Sequence, residues 1–146
     1  MRRLCLLLSL IVLTAMPACG DDDDDESVSA EDFAAAVNTL CEEEHERVDA
    51  MFTDFPEEPT PADVQALIAD FAESFEEYRD GLVAVGSPEG REETYEEYLE
   101  AVNAHLERLE AGAVDEDKAM ELFNEEGDDP LAELETALEL DTCASR

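Results

Sequence analysis

The chain is predicted to be all-α: an antiparallel four-helix bundle with an interrupted fourth helix, preceded by a signal peptide and an acidic tether. Three observations carry this. Apolar residues recur at steps of three and four through most of residues 31–146, the spacing that lines one face of a helix. The same stretch shows neither strand-like alternation nor an internal repeat. The connectors are short and marked by Pro, Gly and Ser, which makes successive helices antiparallel neighbours.

The elements follow in order. Ser29 stands before Glu31-Asp32-Phe33, and acids in a first turn suit the positive end of a helix. Phe33, Val37, Leu40/Cys41, Val48 and Phe52 make the first stripe, which stops before Pro56. In the Pro56–Pro61 connector, Thr60 suits an N-cap and Pro61 the first helical position. Val64, Leu67/Ile68, Phe71, Phe75, Tyr78, Leu82 and Val85 form the clearest amphipathic helix. Gly86-Ser87-Pro88 stops it, and Ser87 is expected to cap the next helix, whose stripe is Tyr95, Leu99, Val102, Leu106 and Leu109. Asp115 is expected to cap a fourth helix carrying Ala119, Met120 and Phe123. Gly127-Asp128-Asp129-Pro130 should break or kink it, because proline removes a donor and clashes with the preceding turn. Leu131, Leu134 and Leu138 then resume the stripe up to Leu140.

Ahead of these elements, Arg2 and Arg3 give a basic start and Leu4 to Ala15 is apolar with few interruptions. Small residues, Cys19 and the run Asp21 to Asp25 follow. A charged start, a short apolar core and a small-residue exit describe a secretory signal peptide. The run is shorter than the roughly 20 residues a bilayer span needs. Its tail, Thr14-Ala15-Met16-Pro17-Ala18-Cys19-Gly20, resembles the lipobox of bacterial lipoproteins. That resemblance implies cleavage before Cys19 and acylation of its thiol by chains such as palmitate. Each buried lipid CH₂ contributes about 0.8 kcal/mol, so two or three chains would hold a protein to a membrane stably. The expected divisions are residues 1–18 as signal peptide, 19–30 as lipidated Cys19 and acidic tether, and 31–146 as the helical domain. Five consecutive aspartates repel one another and extend; with no turn residue among them they offer calcium no coordination geometry.

The whole chain has 42 acidic and 8 basic residues, a formal charge of −34. Loss of Arg2 and Arg3 with residues 1–18 would take it from −34 to −36. Phosphate recognition needs Lys and Arg, so nucleic acid is excluded as a partner. Plentiful, periodic apolar residues favour a folded domain over charge-driven disorder. Lys118 is the only lysine, and so acidic a composition suits a saline medium that screens self-repulsion.

Cys5 leaves with the signal peptide and Cys19 takes the lipid, so Cys41 and Cys143 remain. In an oxidising compartment that pair reads as a disulfide. Antiparallel first and fourth helices would bring the two cysteines together. A metal site of Cys41, Cys143 and His45 is the rival, without Cys-x-x-Cys spacing to support it. Phe33-x₇-Cys41, a proline connector, SPEGREETYEEYLEAV and a terminal LELDTCA together resemble a group of small, mostly actinobacterial two-cysteine lipoproteins of unknown function. The resemblance implies a secreted, anchored helical domain and brings no catalytic residues.

Site chemistry is sparse. Glu42-x-x-His45 is a single Glu-x-x-His, whereas a di-iron bundle needs two. His45, near Cys41, Val48 and Phe52, and His105, on the Tyr98, Val102 and Leu109 side, read as histidines at the core edge. Asp115-x-Asp117 begins like a calcium loop but has Met120 where the turn glycine belongs. Asn124-x-Glu126-x-Asp128 fails in the same way, with Asp129 at that place. No catalytic residue, metal site or cofactor is therefore assigned. Phe52, Phe71, Phe75, Tyr78, Tyr95 and Tyr98 either fill the interior or line a groove for an apolar ligand or helix. The expectation is a non-enzymatic, extracytoplasmic domain, lipid-anchored at the cell membrane, with a structural role or contacts to an envelope protein. A solute- or metal-binding lipoprotein is the alternative. A cavity of several hundred cubic ångströms among the aromatics would favour the alternative, and a fully packed interior the first reading.

Overall fold

Three of the helices begin where a side chain accepts from their unpaired backbone N–H groups. A computed structural model describes residues 28–125 and 131–143, and it is all-helical. The helices are α1 (Ala30–Thr53), α2 (Pro61–Val85), α3 (Glu92–Ala113), α4 (Glu116–Phe123) and α5 (Ala132–Ala137). Ser29 Oγ accepts from Asp32 N at the start of α1. Thr60 and Asp63 form a reciprocal capping box at α2, with Pro61 in its first turn. The hydrogen bonds from Thr60 to the Asp63 carboxylate hold that group below its ordinary pKa. At α4, Asp115 Oδ1 accepts from Asp117 N and Lys118 N at 3.0 and 3.2 Å. The aspartates that resemble a calcium loop therefore start a helix.

Ser87 does not cap α3. The helix starts at Glu92 with Arg91 in the cap position and no side-chain cap. Two backbone bonds explain the shift. Val28 N donates to Ser87 O at 2.9 Å, and Glu89 N donates to Val28 O at 2.8 Å. The chain thus meets the α2–α3 connector as it arrives, and Gly90, at φ 77°, completes the turn in a conformation that favours glycine.

α2 is the central helix. It packs against α1, α3 and α4, while α3 also packs against α4 and α5. α4 comes so close to α2 and α3 that a Cβ at Gly112 would lie 2.8 Å from Leu122 Cδ1 and 2.9 Å from Ile68 Cγ2. Among the described residues, no Cα of α1 comes within 8 Å of α3, α4 or α5. α1 and α3 therefore flank α2 with a groove between them. Leu131, Leu138 and Leu140 bury their side chains in the common core.

The fourth apolar stripe comes as two short helices, and the break expected at Gly127 to Pro130 lies outside the described residues. α5 also stops earlier than its leucines suggest. Leu140 N bonds back to Glu135 O at 2.8 Å and Glu139 N to Thr136 O at 3.2 Å, the paired bonds of a Schellman helix end. Glu139 occupies the left-handed position, at φ 64°, where glycine is usual. Leu140 and Cys143 thus lie beyond the helix. Arg91 covers this end by donating to Ala137 O at 3.0 Å and pairing with Glu139, a cation at the negative pole of a helix.

Candidate ligand-binding cleft

The cysteines meet. Cys41 and Cys143 form a disulfide with Cα atoms 5.3 Å apart, inside the range a bridge requires. The route differs from the expected one, since α1 does not lie along α5. Cys143 reaches Cys41 from the segment after α5, and Thr142 N donates to Asn38 Oδ1 at 3.0 Å beside it. Cys19, the lipidation candidate, lies outside the described residues, as do residues 1–18 and most of the tether.

Around the disulfide the groove is closed. Tyr78 Oη lies 3.4 Å from Cys41 Sγ and 2.6 Å from Tyr98 Oη. Tyr98 donates to Glu135 Oε1 at 3.4 Å. Each hydroxyl has one proton, so the chain of donation runs from Tyr78 to Tyr98 to Glu135. Phe33 meets Tyr95 edge to face at 5.6 Å, and Tyr95 donates to Leu82 O at 3.0 Å. Burial raises the Tyr95 pKa. Every residue named in this network is buried. Tyr78, Tyr95 and Tyr98 are thus interior residues, and their chemistry is structural.

One to three turns farther along the same helix faces, the groove is open. A cleft of about 320 Å³ is lined by Glu44, Val48 and Phe52 from α1, Phe71 and Phe75 from α2, and His105 and Leu109 from α3. The other half of the aromatic set named from sequence is therefore a wall. Phe52 is 48% exposed and lies 5.8 Å from Phe71, centroid to centroid. The His105 ring sits edge-on to Phe75 at 4.9 Å. Phe55, near Phe52, bridges to Phe123 on α4 at 5.9 Å.

Glu44 is the unexpected member. It is 2% exposed, in a helix otherwise bristling with solvated acids. Its Oε2 accepts from Ser74 Oγ at 2.6 Å and from Arg47 at 3.0 Å, and Arg47 Nε also donates to Ser74 Oγ at 2.8 Å. These charge-assisted bonds offset the cost of burying a carboxylate. Arg47 lines a separate, smaller hollow of about 210 Å³ with Met51, Asp70 and Glu77. Sequence could not single out Glu44 among its neighbours Glu42, Glu43 and Glu46. The only signal was its place one turn from Cys41 on the apolar stripe.

His45 is half-buried and is not part of the cleft wall. Among the described residues no group of three or more His, Cys, Asp or Glu side chains is placed to hold a metal ion. Nor is any helix among them long and apolar enough to cross a membrane. No protein-family model, curated protein or solved structure matches the chain.

Proposed function

We propose that this is a non-enzymatic binding domain, displayed outside the cytoplasm on a lipid anchor at Cys19, whose cleft takes up an apolar small molecule. The observation that carries the binding reading is the cleft of about 320 Å³ walled by Phe52, Phe71 and Phe75. Ligand sites are typically concave, mostly apolar and about 300–1,000 Å³, with a few polar groups to fix orientation. Glu44 and His105 are those groups here. An opening of this size among the aromatics favours the solute-binding reading over the structural one.

The anchor rests on Arg2, Arg3, the apolar run Leu4 to Ala15 and the lipobox-like ending at Cys19. The resemblance to two-cysteine actinobacterial lipoproteins rests on the order of its motifs, with the Cys41–Cys143 bridge as added support. The same reading makes the fold an antiparallel four-helix bundle whose broken fourth member covers only part of the groove.

A titration of the mature chain with a neutral fluorescent apolar dye tests the cleft. Saturable one-to-one binding, weakened by Phe71→Ala, is expected. Absence of binding, or binding indifferent to that substitution, would refute the assignment. Changing Cys19→Ser should release the protein from the membrane fraction; unchanged retention would sink the anchor.

Contacts with an envelope protein are the second reading. Phe52 and Phe123 are 48% and 39% exposed and are linked through Phe55, so an apolar surface extends beyond the cleft.

A further inference from the structure

The cleft wall is aromatic and carries an acid without a lysine or arginine. Three phenylalanine rings, Phe52, Phe71 and Phe75, share the lining with the Glu44 carboxylate. Ser74 and Arg47 both donate to the same Glu44 oxygen, Oε2. Arg47 reaches that oxygen from the neighbouring hollow and does not itself line the cleft. Ring faces attract a cation through their quadrupole, and a carboxylate beside them adds direct charge attraction. The formal charge of −34 over the chain acts in the same sense, enriching cations and repelling anions near the surface.

We infer that the cleft's ligand is an apolar cation: a molecule with an alkyl or aromatic body and an ammonium group, rather than a fatty acid or other anionic amphiphile. The inference rests on the binding role proposed above. The apolar body fills the space between Val48, Phe71 and Leu109, and the ammonium lies among the rings beside Glu44. A second copy of the chain is a poor occupant, because two like-charged surfaces of this magnitude repel.

Calorimetric titration of the mature chain with decyltrimethylammonium, decanol and decanoate, each below its micelle concentration and at physiological salt, tests this. The ammonium should bind one-to-one and about tenfold tighter than the alcohol, and the carboxylate should bind weakest. Tetramethylammonium, which lacks the apolar body, should show no saturable binding. Glu44→Gln should reduce the preference for ammonium over alcohol several-fold while leaving alcohol binding in place. Phe52→Ala, at a half-exposed position, should weaken the ammonium several-fold more than the alcohol and serves should Glu44→Gln fail to fold. Equal binding of ammonium and alcohol overturns the inference but leaves the apolar cleft intact. Binding of none of the three overturns both. A lysine-rich amphipathic peptide that binds where the ammonium does not overturns it in favour of a helical partner. A dimer dissociated by Phe52→Ala would overturn it in favour of self-association.

Discussion

The groove over α2 has two halves with the same ancestry in sequence and opposite fates. Cys41, Tyr78 and Tyr98 stand on the stripes that continue to Val48, Phe75 and His105. The first set is sealed by the segment from Leu131 to Cys143. The second has no such cover among the described residues and remains a cleft. A helix face advertises that something packs on it but not how far the covering segment extends. Among the described residues the cover starts at Leu131, and the chain after the short α5 turns to place Cys143 on Cys41.

The largest expected contrast lies at the disulfide. Reduction or Cys143→Ala should lower stability by about 3–5 kcal/mol on the chain-entropy model, given 102 residues between the bridged positions. Hydrogen exchange should show α5 and the following turn opening first, with α2 still protected. Equal loss of protection in all helices would mean that the sealed half is not a separable cover.

Next comes the core under that cover. Leu138→Ala, at a side chain 1% exposed, should cost roughly 2–5 kcal/mol in denaturant unfolding. The matching change in the open half, Phe52→Ala, should cost less, about 1 kcal/mol, because the half-exposed ring forfeits only its contacts with Phe55 and Phe71. Similar costs for the two would erase the distinction between a sealed and an open half.

Tyr78→Phe removes the hydroxyl that lies 2.6 Å from Tyr98 and should cost about 1–2 kcal/mol. A double substitution with Tyr98→Phe should be less costly than the sum, since the two share one bond. Strict additivity would show that the hydroxyls act independently.

The smallest effect is at the α2 cap. The Asp63 pKa is depressed by its bonds to Thr60, so its contribution is present above the ordinary carboxylate pKa and fades as pH falls through the folded value. Asp63→Asn should flatten the acid limb of the stability curve slightly, and the bridge should leave that change unaffected. A larger acid effect in the reduced protein would link the cap to the sealed half.

Helix starts were legible because capping is local chemistry. Thr60-Pro61 and Asp115 show their roles within three residues. Ser87 misled for the complementary reason: its backbone is engaged by Val28, a residue more than fifty positions away. The end of α5 was hidden because Glu139 takes a position where glycine would have signalled the stop. The disulfide could be read by elimination, but the turn that delivers Cys143 could not. In the cleft, the aromatic residues were legible as a set. Their division into interior tyrosines and wall phenylalanines depends on where the cover ends, and the burial of Glu44 depends on Ser74 and Arg47 meeting it.

The pairing of Val28 with the α2–α3 connector fixes the place where the chain arrives. Phe52 lies about 22 residues beyond the start of α1, roughly 33 Å away for a helix rising 1.5 Å per residue. Handle and mouth therefore sit near opposite poles. A surface gripping the N-terminus would leave the cleft standing clear of it, with room for an occupant to approach from the far side.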